Sequence, residues 1–236
     1  METIRLDKIL TDTGEMTRSE AKNAILRGRV TVAGQLQRRP EYKVSREELI
    51  CLDGEPVFTD EHVYYLLHKP ADYVSSTEDE KYPSVMRLLP PSALKRGAAP
   101  VGRLDADVTG LLIITDDGEY LHRVIHPRSG VVKKYIAVTD IPVTPFEIAS
   151  FAEGTTLSDG TAYKPAELEI VSPDGLTSAV KITEGKFHEV KNLYAARGIK
   201  VLQLCRVSVG GIILPENLPM GDYRQISPAE ARKAFI

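Results

Sequence analysis

The chain has 236 residues, 42% of them hydrophobic and 27% charged, with a formal net charge of −3, a composition that allows a buried core without disulfides or metals. Its longest apolar runs, such as 63–67 and 110–114, are far too short to span a bilayer, and the opening Met1-Glu-Thr-Ile-Arg-Leu-Asp has no apolar signal-peptide core. The two cysteines, Cys51 and Cys205, are distant in sequence and read as core fillers of a reduced, cytoplasmic protein.

Leu6, Ile9 and Leu10 recur at helical spacing. Thr17 followed by Glu20 is a capping-box pattern that starts a second helix, with Ala21, Ala24 and Ile25 on its buried side and Gly28 as its stop signal. Strands follow at 30–32 and 48–52, with a turn at Ala33-Gly34. Between Arg18 and Arg46 eight basic residues stand against two acidic ones. The whole-chain charge hides this patch, whose cations suit a run of phosphates. A solvated helix face is the alternative reading. Asp53-Gly-Glu-Pro marks a boundary, giving a small unit at 1–58 and a larger one at 59–236. In the second unit, strands are predicted at 63–67, 111–115, 135–138, 167–171, 178–182 and 201–208. Helices are predicted at 118–125, 145–152 and 187–197. The fold class is α+β: a small helix–helix–strand unit plus a larger domain on a mixed, mostly antiparallel sheet. The tract 71–99, rich in Pro, Ser, Asp and Glu, reads as a long mobile excursion.

Four further segments carry candidate chemistry. In Gly102-Arg103-Leu104-Asp105-Ala106-Asp107-Val108-Thr109-Gly110-Leu111-Leu112, a loop with two carboxylates and an arginine leads into a buried strand. The residues alone allow an Arg103–Asp105 ion pair or, less readily, a metal site using Asp105 and Asp107. Glu184-Gly-Lys-Phe-His-Glu-Val-Lys191-Asn192 offers Lys191 as a cation, which alone reads as a surface helix lysine. Its His188 suits an RNA contact or packing better than a metal, because no histidine cluster accompanies it. Lys133-Lys134-Tyr135 starts a strand in which Tyr135 alone reads as a core aromatic. His68-Lys69-Pro70-Ala71-Asp72 presents Lys69 either to a phosphate or as a strand cap.

Two resemblances bear on these alternatives. Arg5-Leu6-Asp7-Lys8, Thr17-Arg18-Ser19-Glu20-Ala21 and Gly28-Arg29-Val30-Thr31-Val32-Ala33-Gly34 resemble the S-four-type RNA-binding domain. Gly-Arg-Leu-Asp at 102–105, followed by Thr-Gly-Leu-Leu at 109–112, resembles the signature of ribosomal RNA pseudouridine synthases of the Rsu/Rlu type. The resemblance runs closest to the branch acting on small-subunit (16S) RNA, and large-subunit RNA is the alternative substrate. It implies an isomerase that needs no cofactor and no metal. Such an enzyme breaks the uracil N1–ribose bond, turns the base and rejoins it through C5. The resemblance places the catalytic carboxylate on Asp105, a cationic partner on Lys191 and a stacking tyrosine on Tyr135. It places RNA contacts on Arg5, Lys8, Arg18, Lys22, Arg27, Arg29, Lys69, Arg103, Lys133, Lys186 and His188. The implied partner is ribosomal RNA or a pre-ribosomal particle, bound by a monomer without a membrane. Three positions depart from the family pattern: Asp72 stands for glycine, Glu189 for glutamine and Asn192 for a second basic residue. A non-catalytic ribosome-assembly factor is the competing reading. A methyltransferase carrying the same first domain would need a Gly-rich cofactor loop that the sequence lacks.

Overall fold

A computed structural model describes residues 3–236, and the chain divides into two compact units. One comprises the residues up to Val63 together with Leu89–Ala98, and the other comprises Tyr64–Leu88 and Ala99–Ile236.

In the first unit β1 (Ile4–Arg5) leads into α1 (Leu6–Asp12) and α2 (Arg18–Leu26). The strands β2 (Val30–Val32), β3 (Gln35–Gln37), β4 (Lys43–Val44), β5 (Ile50–Leu52) and β6 (Glu55–Pro56) follow, and α3 (Pro91–Lys95) completes the unit. The Thr17 hydroxyl accepts from Glu20 N at 3.3 Å while the Glu20 carboxylate accepts from Thr17 N at 2.7 Å, so the capping box is formed in both directions. Gly28 takes φ +73° just past the helix end, a conformation glycine adopts without steric cost. Leu6, Ile9, Leu10, Ala21, Ala24 and Ile25 pack with Val30, Val44 and Ile50 into one core, above a sheet ordered β3-β2-β5-β6. Asp7 is fully buried yet ionisable; Arg5 grips both its oxygens at 2.9 and 2.8 Å. That hydrogen-bonded pair holds the Asp7 carboxyl below its ordinary range against the opposing effect of burial.

The second unit is built on a nine-stranded sheet. Its strands are β7 (Tyr64–Lys69), β8 (Ala99–Pro100), β9 (Thr109–Thr115), β10 (Lys133–Thr139), β13 (Glu167–Ile170), β14 (Thr177–Ile182), β15 (Val201–Val209), β16 (Ile212–Ile213) and β17 (Tyr223–Ile226). A separate hairpin joins β11 (Thr155–Thr156) to β12 (Ala162–Tyr163). The main order is β13-β14-β10-β15-β9-β7-β17, with β16 on β15 and β8 on β9. All pairings in it are antiparallel except β15 with β9, which run parallel over only Cys205–Thr109 and Arg206–Gly110. The sheet is thus two antiparallel ribbons joined at a short parallel seam. At the seam a Cβ on Gly110, where φ is +107°, would overlap the Arg206 backbone, whose nitrogen would be 2.6 Å away. Only glycine lets the two strands approach there. The helices α4 (Gly118–Ile125), α5 (Pro145–Glu153), α6 (Glu189–Ala195) and α7 (Pro228–Ala231) complete the unit. Tyr120 and Val124 of α4 pack with Leu66, Leu111, Ile113, Val209 and Ile226.

Four expectations are corrected. The tract 71–99 is folded rather than a free excursion. Val74 and Ser84 form a parallel bridge, 85–88 is a 3₁₀ turn, and Val85, Met86 and Ala93 are buried. Few apolar residues suffice there because most of them are buried or half-buried, Leu94 being an exception, and polar side chains of the tract pair locally, as in the Asp79–Arg87 ion pair. The third predicted helix begins at Glu189 rather than 187, because His188 is in the left-handed region at φ 51°. Strand β17 and helix α7 were not anticipated. Both cysteines are only half-buried, so neither is a core filler.

Candidate active site

Asp105 sits in the 102–108 loop, which enters β9. Its neighbours Leu104 and Val108 are buried and pin the loop at both sides. Two devices hold the backbone between them. Ser75 Oγ donates to Leu104 O and accepts from Leu104 N, both at 3.0 Å. Lys69, fully buried at the end of β7, donates from Nζ to Val108 O at 2.7 Å, Pro70 O at 3.0 Å and Ala106 O at 3.2 Å. Burial pushes the Lys69 ammonium down to about 8, while the fields of Asp107, Asp105 and Asp72 act in the opposite direction. The turn after Lys69 closes with Asp72 N donating to Ala106 O at 2.8 Å. Asp72 occupies φ +63°, and an aspartate is among the few side chains that tolerate this region.

Asp105, 29% exposed at its side chain, is reached from α6. Lys191 Nζ donates to Asp105 Oδ2 at 3.0 Å and to Asp107 Oδ1 at 2.7 Å. One ammonium therefore serves both carboxylates, and the Arg103–Asp105 pair considered from the sequence does not form: Arg103 is 73% exposed and stands 4.0 Å from Glu80. Burial opposes the charge on Lys191, but its bonds to Asp107 and Asp105 outweigh that and raise its pKa. The Asp107 carboxyl is likewise pushed up by burial and brought below its ordinary range by Lys191. His188 Nε2 lies 3.4 Å from Asp105 Oδ1.

The cleft beside Asp105 is lined by Tyr135, Leu204, Ile182, Val108, Glu189 and Lys191, with Arg103, Lys186 and His188 at the same opening. An aromatic ring, aliphatic walls and a carboxylate held by a cation suit a planar, uncharged base attached to a sugar. Of the predicted site residues, Asp105, Tyr135, Lys191, Arg103, Lys186 and His188 all line this cleft. Lys69 and Lys133 do not. Lys69 is sealed under the loop, so it builds the site and cannot reach a phosphate. Lys133 is 9% exposed on the inward side of β10, two residues before Tyr135. Burial and the like charge of Arg206 push its ammonium down, with Glu189 counteracting. A strand that alternates inward and outward places every second residue under the sheet, and Lys133 shares that face with Tyr135.

In the first unit Arg18, Lys22 and Arg27 are exposed. Arg29 forms a two-pronged pair with Asp53, Lys8 pairs with Asp12, and Arg5 is engaged by Asp7.

Three features of the site were not read from the sequence. Asp107 shares Lys191. Glu189 is buried at 4% exposure, accepts from Lys186 N at 2.8 Å, and has its carboxyl raised by burial. Asn192 holds the segment before α6, donating to Tyr163 Oη at 2.7 Å and to Phe187 O at 3.4 Å. The Glu-x-Lys-Asn spacing on α6 was visible; the facing partners, 84 or more residues away for Asp105 and Asp107, were not.

Comparison with known proteins gives a consistent result. Residues 63–196 match the family model described as RNA pseudouridylate synthase, and residues 4–50 match the S4 domain. A ribosomal small subunit pseudouridine synthase A from Salmonella typhimurium is 38% identical over 96% of this chain and 98% of its own length. An uncharacterised RNA pseudouridine synthase from Aquifex aeolicus is 38% identical over 98% of this chain and 95% of its own. A crystal structure of a pseudouridylate synthase superposes with a TM-score of 0.68 at 33% identity, covering 98% of this chain and 99% of that one.

Proposed function

Since the chain belongs to the RNA pseudouridylate synthase family, with an S4 domain at its start, we propose that it converts one uridine of small-subunit ribosomal RNA to pseudouridine, with Asp105 as the catalytic carboxylate. The substrate assignment rests on the similarity to the small-subunit enzymes. The assignment of Asp105 rests on one observation: it is the carboxylate that lines the cleft beside Tyr135 and is fixed by the Lys191 ammonium at 3.0 Å.

The reaction is an isomerisation. The N1–C1′ bond breaks, the C5–C1′ bond forms, N1 gains a proton and C5 loses one, so no donor or acceptor is consumed. The enzyme must keep the freed uracil in place while it turns. Tyr135 offers a ring face for stacking, and Leu204 and Ile182 exclude water from the far wall. Lys191 keeps Asp105 aimed at the sugar. Residues 1–58 grip the RNA backbone through Arg18, Lys22 and Arg27, and residues 59–236 carry out the chemistry.

Asp105→Asn keeps the shape and one hydrogen bond to Lys191 but removes the charge. Pseudouridine formation is expected to vanish while RNA binding persists, read by primer extension after carbodiimide treatment and by filter binding. Product formed at the wild-type rate by this variant overturns the assignment. Offering 16S and 23S RNA separately tests the substrate: modification confined to 23S RNA refutes the small-subunit reading.

A further inference from the structure

Phe187 is the most exposed aromatic ring among the described residues, at 79%. A phenyl ring left in water forgoes the gain of burial, and this one is not packed into a hydrophobic core. Its position is nevertheless fixed. The ring lies face to face with His188, centroids 3.7 Å apart and planes 21° from parallel. The backbone beneath it is tied down, with Phe187 O accepting from Asn192 and lying 3.5 Å from Tyr163 Oη. Lys186 N and Glu189 Oε2 close the turn at 2.8 Å. His188, the other half of the stack, lies 3.4 Å from Asp105. A two-ring stack therefore stands beside the cleft, its His188 half in the cleft lining together with the cations Lys186 and Arg103.

This placement meets a need of the reaction. A uridine drawn into the cleft leaves a gap in the RNA stack, and its two neighbours each lose a stacking face. Planar side chains inserted at such steps replace the missing contact, and a flat ring among cations suits nucleic acid better than an apolar protein surface.

We propose that Phe187, backed by His188, is the wedge that enters the RNA stack where the target uridine leaves it. The proposal rests on the pseudouridine synthase reading of the same site. Asn192 then serves as the brace of the wedge, which gives a use to a position where a second basic residue had been expected. Wedge insertion lowers the cost of eversion, so its loss is felt most where the target base is firmly stacked.

The test compares wild type, Phe187→Ala and Phe187→Trp on two RNAs: a folded small-subunit fragment and a short unstructured oligonucleotide carrying the same target uridine. On the folded fragment Phe187→Ala should lower kcat/KM by about tenfold to a hundredfold, the range of one base–aromatic stack, and Phe187→Trp should restore it. On the unstructured oligonucleotide the alanine defect should largely disappear. Because the side chain is exposed, thermal denaturation of all three proteins should coincide. A second reading uses 2-aminopurine 3′ to the target uridine, bound by Asp105→Asn with and without Phe187→Ala. Fluorescence should be quenched with the phenyl ring present and rise without it. An alanine variant as fast as wild type on folded RNA, or an equal loss on both RNAs, overturns the wedge. Wild-type protein that forms no pseudouridine on either RNA would instead overturn the underlying function, while the 2-aminopurine signal still reads the wedge itself.

Discussion

Replacing Lys69 with methionine tests how the loop carrying Asp105 is held. The side chain is fully buried, and its ammonium makes three bonds to backbone carbonyls. An ammonium whose pKa falls from the ordinary 10.5 to about 8 on folding lowers stability at neutral pH by about 3 kcal/mol, at about 1.4 kcal/mol per pH unit. Against this, methionine leaves the Val108 carbonyl buried without a donor, at about 1–3 kcal/mol, with smaller losses at the two partly exposed carbonyls. The two effects nearly cancel, so Lys69→Met should lie within about 2 kcal/mol of wild type at pH 7 in urea denaturation. The pH dependence then separates them. Between pH 8 and 10.5 the unfolded chain holds a proton that folded Lys69 has released, so wild-type stability rises with pH through that window relative to the variant. The gap in favour of wild type should widen by about 3 kcal/mol between pH 7.5 and 10.5. Activity should fall even where stability does not, with kcat dropping more than KM rises, because the loop geometry rather than RNA binding is disturbed. Parallel stability curves for the two proteins across this range would refute the account of Lys69 as a buried, partly discharged ammonium.

Two other outcomes follow from the packing. Gly110→Ala should destabilise the larger unit by about 3–5 kcal/mol through backbone overlap with Arg206 and a strained φ, which urea titration or loss of soluble protein would register. Glu189→Gln should raise the melting temperature at pH 8, because the Glu189 carboxyl, raised by burial, prefers its neutral form when folded. A raised folded pKa means that stability is lost as pH rises through it, so the advantage of glutamine should shrink in acid. Thermal denaturation of both proteins at pH 5 and pH 8 reads this, and a glutamine variant no more stable than wild type at pH 8 would refute it.

Much of the architecture was legible because it is local. The Thr17–Glu20 capping box, the helix at Gly118–Ile125 and the apolar-rich stretches of β7, β9 and β15 each declare themselves within a few residues. What escaped depends on distant partners. Lysine is rarely sealed from water unless acceptors converge on it, and the carbonyls around Lys69 are mostly supplied from 37 and 39 residues away. The same holds for Asp107, whose role appears only once α6 brings Lys191 to it. Strand β17 was missed because Tyr223-Arg-Gln-Ile is half polar, and only its pairing with β7 makes it a strand. The tract after Pro70 looked structureless because its few apolar residues are spread thinly, although nearly all of them are used. In the site, the motif residues gave Asp105, Tyr135 and Lys191 as one group, whereas composition alone had left a metal and a simple Arg103 ion pair open.

The two-residue seam between β9 and β15 has an implication for how the proposed catalytic groups keep their alignment. Asp105 is carried into the site by the ribbon containing β7 and β9, while Tyr135 lies on β10 in the other ribbon and Lys191 on α6, between β14 and β15 in the chain. The distance between acid and ammonium is therefore a coordinate of the whole sheet. A slip of one ribbon along the other would pull them apart without unfolding either, so a position with no side chain, Gly110, pins the alignment of the proposed catalytic pair.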